Sequence, residues 1–234
     1  LGSGALVFDL AADQILKLNG TEVNGADVTG DVGSELIVTG LVASGTDLSG
    51  LGAKLVDLRG ATFASGLGAM TLGSDQTLLL SAEEADGALI SGLGKVVVSG
   101  DVSGIDLGGL SVSVIDLTGA TSSVPFRLSN ALILGAGQTL LLTASEADLG
   151  VISGGLVKVT GDIGGIELGG ISSNLDLSGA TLGTGAINLD LQANQILTLN
   201  GAEANGASVT GDVGCELIVT GLVASGTDLS GLGA

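Results

Sequence analysis

Residues 28–53 read VTGDVGSELIVTGLVASGTDLSGLGA, and residues 209–234 read VTGDVGCELIVTGLVASGTDLSGLGA. The two stretches differ only at Ser34 and Cys215, and the match runs backwards, less perfectly, to Leu1 against Leu182 at a constant offset of 181. Internal repetition on this scale is the signature of a repeat architecture, in which each unit buries its apolar face against its neighbours.

Between the two copies the same phrases recur in diverged form. ELIVTG, VVVSG, VKVTG and ELIVTG end at Gly40, Gly100, Gly161 and Gly221, at spacings of 60, 61 and 60. VDLRGAT, IDLTGAT and LDLSGAT place Asp57, Asp116 and Asp176 at spacings of 59 and 60. A Gln precedes each Leu-rich run, at Gln14, Gln76, Gln138 and Gln195. The chain is therefore read as one continuous array of just under four units of about 60 residues, 1–62, 63–121, 122–181 and an incomplete 182–234. It opens on Leu1-Gly2-Ser3-Gly4 and stops at Ala234, the counterpart of Ala53, inside a unit. The expectation is a segment of a longer array, or a subunit whose ends are completed by neighbours.

Within the second unit, runs of three to five residues such as TLLL, ALI, VVV, VIDL and ALIL alternate with SG, GD, GG, TG and GAG. Short runs rich in Val, Ile, Leu and Thr between turn dipeptides read as strands rather than helices. The helix-like stretches are SAEEADG (81–87) and TASEADLG (143–150), with NGTEVNG (19–25) as their counterpart. Asn-Gly pairs begin at 19, 24, 200 and 205 and predict turns with positive φ. Short strands, regular turns and a long repeat predict an all-β fold, a parallel β-solenoid with two or three turns per unit and inward apolar ladders such as Leu58, Leu117 and Leu177. A string of small β-sandwiches, one per unit, is the alternative.

Composition removes other classes. Six Lys and Arg face 25 Asp and Glu, for a net charge of −19, and there is no His, Trp or Tyr. Such a chain can neither neutralise a phosphate backbone nor stack on bases, which argues against nucleic acid as a partner. Without His there is no His-based acid–base catalysis and no His-ligated zinc. Missing Trp and Tyr argue against a transmembrane barrel and a sugar-stacking site. The longest apolar run is far short of a spanning helix, so membrane insertion is not expected. A single Cys excludes an intrachain disulfide. The 45% apolar content excludes disorder, and 43 Gly without a three-residue period exclude collagen.

GAGQTLLLTASEAD (135–148), KVVVSGD (95–101) and VIDLTGAT (114–121) resemble the β-strand repeats of very long bacterial surface and secreted proteins, including S-layer-like proteins and large solenoid adhesins. The resemblance covers nearly the whole chain and is specific to an architecture. It implies an extracellular or cell-surface, acidic, non-enzymatic scaffold, anchored through another part of a parent chain. The calcium-roll nonapeptide GGxGxDxUx does not occur in tandem, so that family's calcium is not carried over.

Several side-chain rows are candidates for function. TDLSGL, IDLGGL, IELGGI and TDLSGL align Asp47, Asp106, Glu167 and Asp228; Asp57, Asp116 and Asp176 form a second row. Read as surface ladders, these like charges repel unless spaced apart or bridged by a cation, so Ca²⁺ is the candidate metal. The competing reading is that the carboxylates cap turn amides. The Gly-Asp pairs at Asp31, Asp101, Asp162 and Asp212 fall at two different places in the unit and read as turn chemistry. Thr39, Ser99, Thr160 and Thr220 form a hydroxyl row, as do Thr62, Thr121 and Thr181, which suits ice binding or an ordinary exposed β-face. Cys215 is a small hydrophobe or an interchain disulfide partner. Arg59 and Arg127 are the two guanidiniums, and neither has a repeated partner of the kind a polysaccharide lyase needs. The expectation is a self-assembling structural protein whose copies join head to tail, and the alternative is the stalk of a large adhesin.

Overall fold

The structure is a computed structural model that describes residues 6–122, 131–148, 150–183 and 187–233. Two compact units divide it, Leu1–Ala120 and Thr121–Ala234, and the division falls at the end of the second sequence repeat.

In the first unit six parallel strands stack in order, each belonging to one turn of a β-solenoid. They are Ile15–Asn19, Glu35–Val42, Leu55–Phe63, Thr77–Ser81, Lys95–Asp101 and Val114–Asp116, numbered here turns 1 to 6. The register runs Leu16, Leu36, Val56, Leu78, Val96, Ile115, so one turn takes about 20 residues and three turns make one sequence repeat. In the second unit five such strands follow, Thr139–Thr143, Leu156–Asp162, Asn174–Asp176, Ile196–Asn200 and Glu216–Thr220, turns 7 to 11. The β-solenoid is thus the observed fold, with three turns per repeat.

Most turns also carry a short strand before the main one; before Asn174–Asp176 there is only an isolated bridge, between Ile171 and Ile152. In the first unit Val7–Leu10, Asp27–Gly30 and Leu51–Gly52 pair in parallel, as do Met70–Leu72, Ile90–Gly92 and Leu110–Ser111. In the second unit Asn188–Leu191, Ser208–Gly211 and Leu232–Gly233 do the same.

Alternation along the main strands sends every second side chain inward. Leu36, Val38, Leu78, Leu80, Val96, Val98, Ile115 and Leu117 are buried in the first unit, and Leu140, Leu142, Val157, Val159, Leu197 and Leu199 in the second. Parallel strands have to be covered in this way, and apolar side chains of varying size at equal heights satisfy it turn after turn. Leu58, Leu117 and Leu177 are all inward, at the third turn of their repeats; between Leu58 and Leu117 the same position is filled by Leu80 and Val98.

The helix-like stretches form single turns, α1 (Ala82–Ala85) and α2 (Ala144–Ala147). The Asn-Gly expectation divides. Gly25 and Gly206 adopt positive φ, at 66° and 71°. Gly20 and Gly201 do not; they mark a close approach, where an added Cβ would lie 2.0 Å from the Leu41 carbonyl oxygen and 2.2 Å from that of Leu222.

Candidate functional site

The polar side chains that recur with the repeat are used between turns. Gln76 is the clearest case. Its Oε1 accepts the Gly73 N–H at 2.7 Å, while its Nε2 donates to the carbonyls of Leu51 and Ala53 on the turn below, both at 3.1 Å. Gln195 repeats this, accepting from Gln192 N–H at 2.9 Å and donating to Ile171 at 2.9 Å and Ser173 at 2.7 Å. Gln14 and Gln138 accept the same local N–H, from Ala11 at 2.9 Å and Gly135 at 2.6 Å. In the sequence these glutamines served only to mark the period, although a Gln before an apolar strand is a signal in itself. It is long enough to close its own turn and still reach the next.

A second device sits after the strand. The carboxylates of Glu22, Glu84, Glu146 and Glu203 accept the backbone N–H three residues earlier, from Asn19 at 2.9 Å, Ser81 at 2.7 Å, Thr143 at 2.6 Å and Asn200 at 2.9 Å. This is the glutamate half of a capping box, kept in all four repeats whether or not a helical turn forms. Burial pushes the Glu203 carboxyl above its ordinary range, against the hydrogen bonds from Asn200.

A third device ties the loops. The side-chain oxygens of Asn24, Asp86, Asp148 and Asn205 accept the backbone N–H of Asp47, Asp106, Glu167 and Asp228 on the next turn, at 3.0, 2.7, 2.8 and 2.8 Å. Gly25, Gly87 and Gly206 return a bond to the carbonyls of Asp47, Asp106 and Asp228.

The first acidic row therefore meets a different set of residues from its own. Asp47 and Asp106 stand three turns apart, about 14 Å at the usual strand spacing. Asp47, Asp106 and Asp228 each accept a loop amide two residues on, from Ser49 at 3.0 Å, Gly108 at 2.8 Å and Ser230 at 2.9 Å. Hydrogen bonds from the Ser49 amide and hydroxyl hold the exposed Asp47 carboxyl below its usual range, and those from the Ser230 hydroxyl and amide do the same for Asp228.

The second row is likewise spread over every third turn, and each member faces its own cation. Arg59 Nη2 lies 2.7 Å from Asp57, Lys95 Nζ 2.6 Å from Asp116 and Lys158 Nζ 3.2 Å from Asp176. The side-chain hydrogen bond from Arg59 holds Asp57 below the usual carboxylate range. For Asp116 and Asp176 burial works the other way, but Thr118 with Lys95 and Ser178 with Lys158 outweigh it, and both lie low. Among the described residues no group of three or more His, Cys, Asp or Glu could hold a metal ion.

The hydroxyl rows do not stack on themselves either. Thr39, Ser99, Thr160 and Thr220 sit opposite Asn19, Ser81, Thr143 and Asn200, and Thr62 and Thr181 opposite Leu41 and Asp162. Asp101 and Asp162 close main strands, while Asp31 and Asp212 follow short ones, as the two places in the unit predict. Asp101 and Asp162 accept the amides of Ser103 at 3.0 Å and Gly164 at 2.9 Å.

Arg59 also lines a groove of about 440 Å³ with Phe63, Ser81, Glu83 and Glu84, but its guanidinium is held by both oxygens of Asp57, at 2.9 and 2.7 Å. Arg127 lies outside the described residues. Cys215 is free and partly exposed, whereas Ser34 is fully buried and its Oγ accepts the Lys54 N–H at 3.2 Å. No described helix is long and apolar enough to cross a membrane.

Comparison of the chain with protein-family models, with curated proteins and with solved structures found no match.

Proposed function

We propose that this chain is a structural scaffold, a length of β-solenoid that serves in an extracellular filament, S-layer or sheath and extends by stacking of turns from one copy to the next. The observation that carries this reading is the use made of the repeated polar side chains. Gln76, Gln195, Asn24, Asp86, Asp148 and Asn205 reach from one turn to its neighbour, and the ion pairs of Lys95 and Lys158 do the same. Side chains that in an enzyme would face a substrate here stiffen the stack. The extracellular setting is supported by the resemblance of the strand phrases to bacterial surface repeats.

Stacked parallel strands offer unpaired N–H and C=O groups wherever a turn is uncovered, and a contact between unlike ends grows without closing. The net charge of −19 opposes this until salt screens it. Sedimentation velocity over a range of protein and salt concentrations tests the reading. Species that grow with both are expected; a single monomeric species under all conditions would replace self-assembly with the stalk of a large adhesin, in which the array is a spacer.

A further inference from the structure

The cations of the first unit are gathered on one side of it. Lys17, Arg59 and Lys95 lie on main strands, and Lys54 leads into one. Glu35, Asp57 and Asp116 lie on the same strands, and Lys54 holds Asp75. The unit has fifteen acids, so eleven remain with no further cation to set against them. The outward face of the main strands is thus a charge-balanced face on an acidic body, and it is partly apolar. Ile15 is 60% exposed, and Ile37, Leu79, Val97 and Val114 are half-buried. The register fixes the order of its side chains. At the first outward position, turns 1 to 6 stack Ile15, Glu35, Leu55, Thr77, Lys95 and Val114; at the next, Lys17, Ile37, Asp57, Leu79, Val97 and Asp116. Either row, reversed, complements itself at its ends: Ile15 meets Val114, Glu35 meets Lys95, Lys17 meets Asp116 and Ile37 meets Val97. Lys95 and Asp116 are joined to each other, whereas Lys17 and Glu35 form no ion pair among the described residues.

We infer that this face is the contact surface for a second copy of the chain, packed sheet to sheet with its turns in the opposite order. The twofold axis runs along the strands, between turns 3 and 4. It sets turn 1 over turn 6 of the other copy and turn 2 over turn 5, with the strands of the two sheets aligned. Lys17 and Glu35 of each copy then reach the Asp116–Lys95 pair of the other, a line of alternating charges, while Ile15 covers Val114 and Ile37 covers Val97. At the centre Leu55 meets Thr77, and Asp57 meets Leu79 with its carboxylate already held by Arg59. The opposite order matters: with the turns in the same order and in register, Lys17 would face Lys17 and Asp116 would face Asp116. By ordinary strand dimensions the face is about 24 Å tall and about 16 Å wide. That is small for a specific interface, so the pair is a reversible one. A twofold contact closes on itself, so it joins two copies and is independent of the end-to-end stacking proposed above.

The test uses the full chain in two single-thiol forms, Cys215→Ser with Ile37→Cys and Cys215→Ser with Val97→Cys, at physiological salt. The short crosslinker bismaleimidoethane is added, and covalent dimer is read on a denaturing gel. The inferred pair sets residue 37 of one copy against residue 97 of the other. The mixture of the two forms is therefore expected to give at least ten times the dimer that either form gives alone. Adding Lys17→Glu and Glu35→Lys to both forms leaves the net charge at −19 and should lower the yield of the mixture at least tenfold. Crosslinking in the mixture that is no better than in its parts, up to millimolar chain, overturns the inference. So does a yield that the charge exchange leaves unchanged. Sedimentation of the same samples follows end-to-end growth on its own, so either reading can fail without the other.

Discussion

Gln195 shows how much one side chain does in this fold. It is buried, and its amide closes its own corner and satisfies two carbonyls on the turn below. Gln195→Ala leaves three backbone groups without that partner, and a loss of about 1–3 kcal/mol in urea denaturation is expected from a buried unsatisfied polar group. The row of Asp57, Asp116 and Asp176 gives the pH response. Their carboxyls titrate lower in the folded chain than in the unfolded one, by virtue of Arg59 at Asp57 and of the Lys and hydroxyl partners at the other two. The stability they contribute is present above the unfolded pKa and is lost as pH falls below about 3.8 through the folded values. Glu203, pushed up by burial, has the opposite sign and gains on acidification through its own range. A stability profile measured from pH 7 to pH 2 should therefore fall mainly at its acid end, and Asp116→Asn should make that fall shallower.

At the scale of the element, the turn of about 20 residues is the unit of structure and the 60-residue repeat is the unit that the sequence displays. The strand phrases, the inward Leu and Val, and the turn glycines were legible because they follow two-residue alternation and turn chemistry. The 20-residue turn was legible only as two or three turns per unit, because the three turns of a repeat carry different polar side chains at the same height. Asp47 rests on Asn24, Thr39 on Asn19 and Asp116 beside Lys95, so rows aligned at 60 residues join positions that never touch. The carboxylates of Asp47, Asp106 and Asp228 cap loop amides and those of Asp57, Asp116 and Asp176 face Arg59, Lys95 and Lys158; titration with Ca²⁺ is the measurement that tests the rows as a cation site. The near-identical copies offer an internal control. Leu36→Ala should cost about 2–5 kcal/mol as a buried Leu truncation, and Leu217→Ala about 1 kcal/mol or less, since Leu217 is only partly buried in this chain. Chemical denaturation of the two variants compares them directly; equal losses would show that turn 11 is as enclosed as turn 2.

At the scale of the whole molecule, the proposed stacking of copies and the acidic surface act against each other. Within each unit, successive turns add to the same ladders. On the proposed reading, the charge of −19 keeps copies apart in dilute, low-salt solution, and screening lets backbone pairing between copies compete. Negative-stain electron microscopy of the purified chain, at low and physiological salt, tests the proposed assembly most directly. The account predicts threads at physiological salt that lengthen at constant width. Separate, unassembled particles under every condition, or sheets and bundles that thicken sideways, would contradict it.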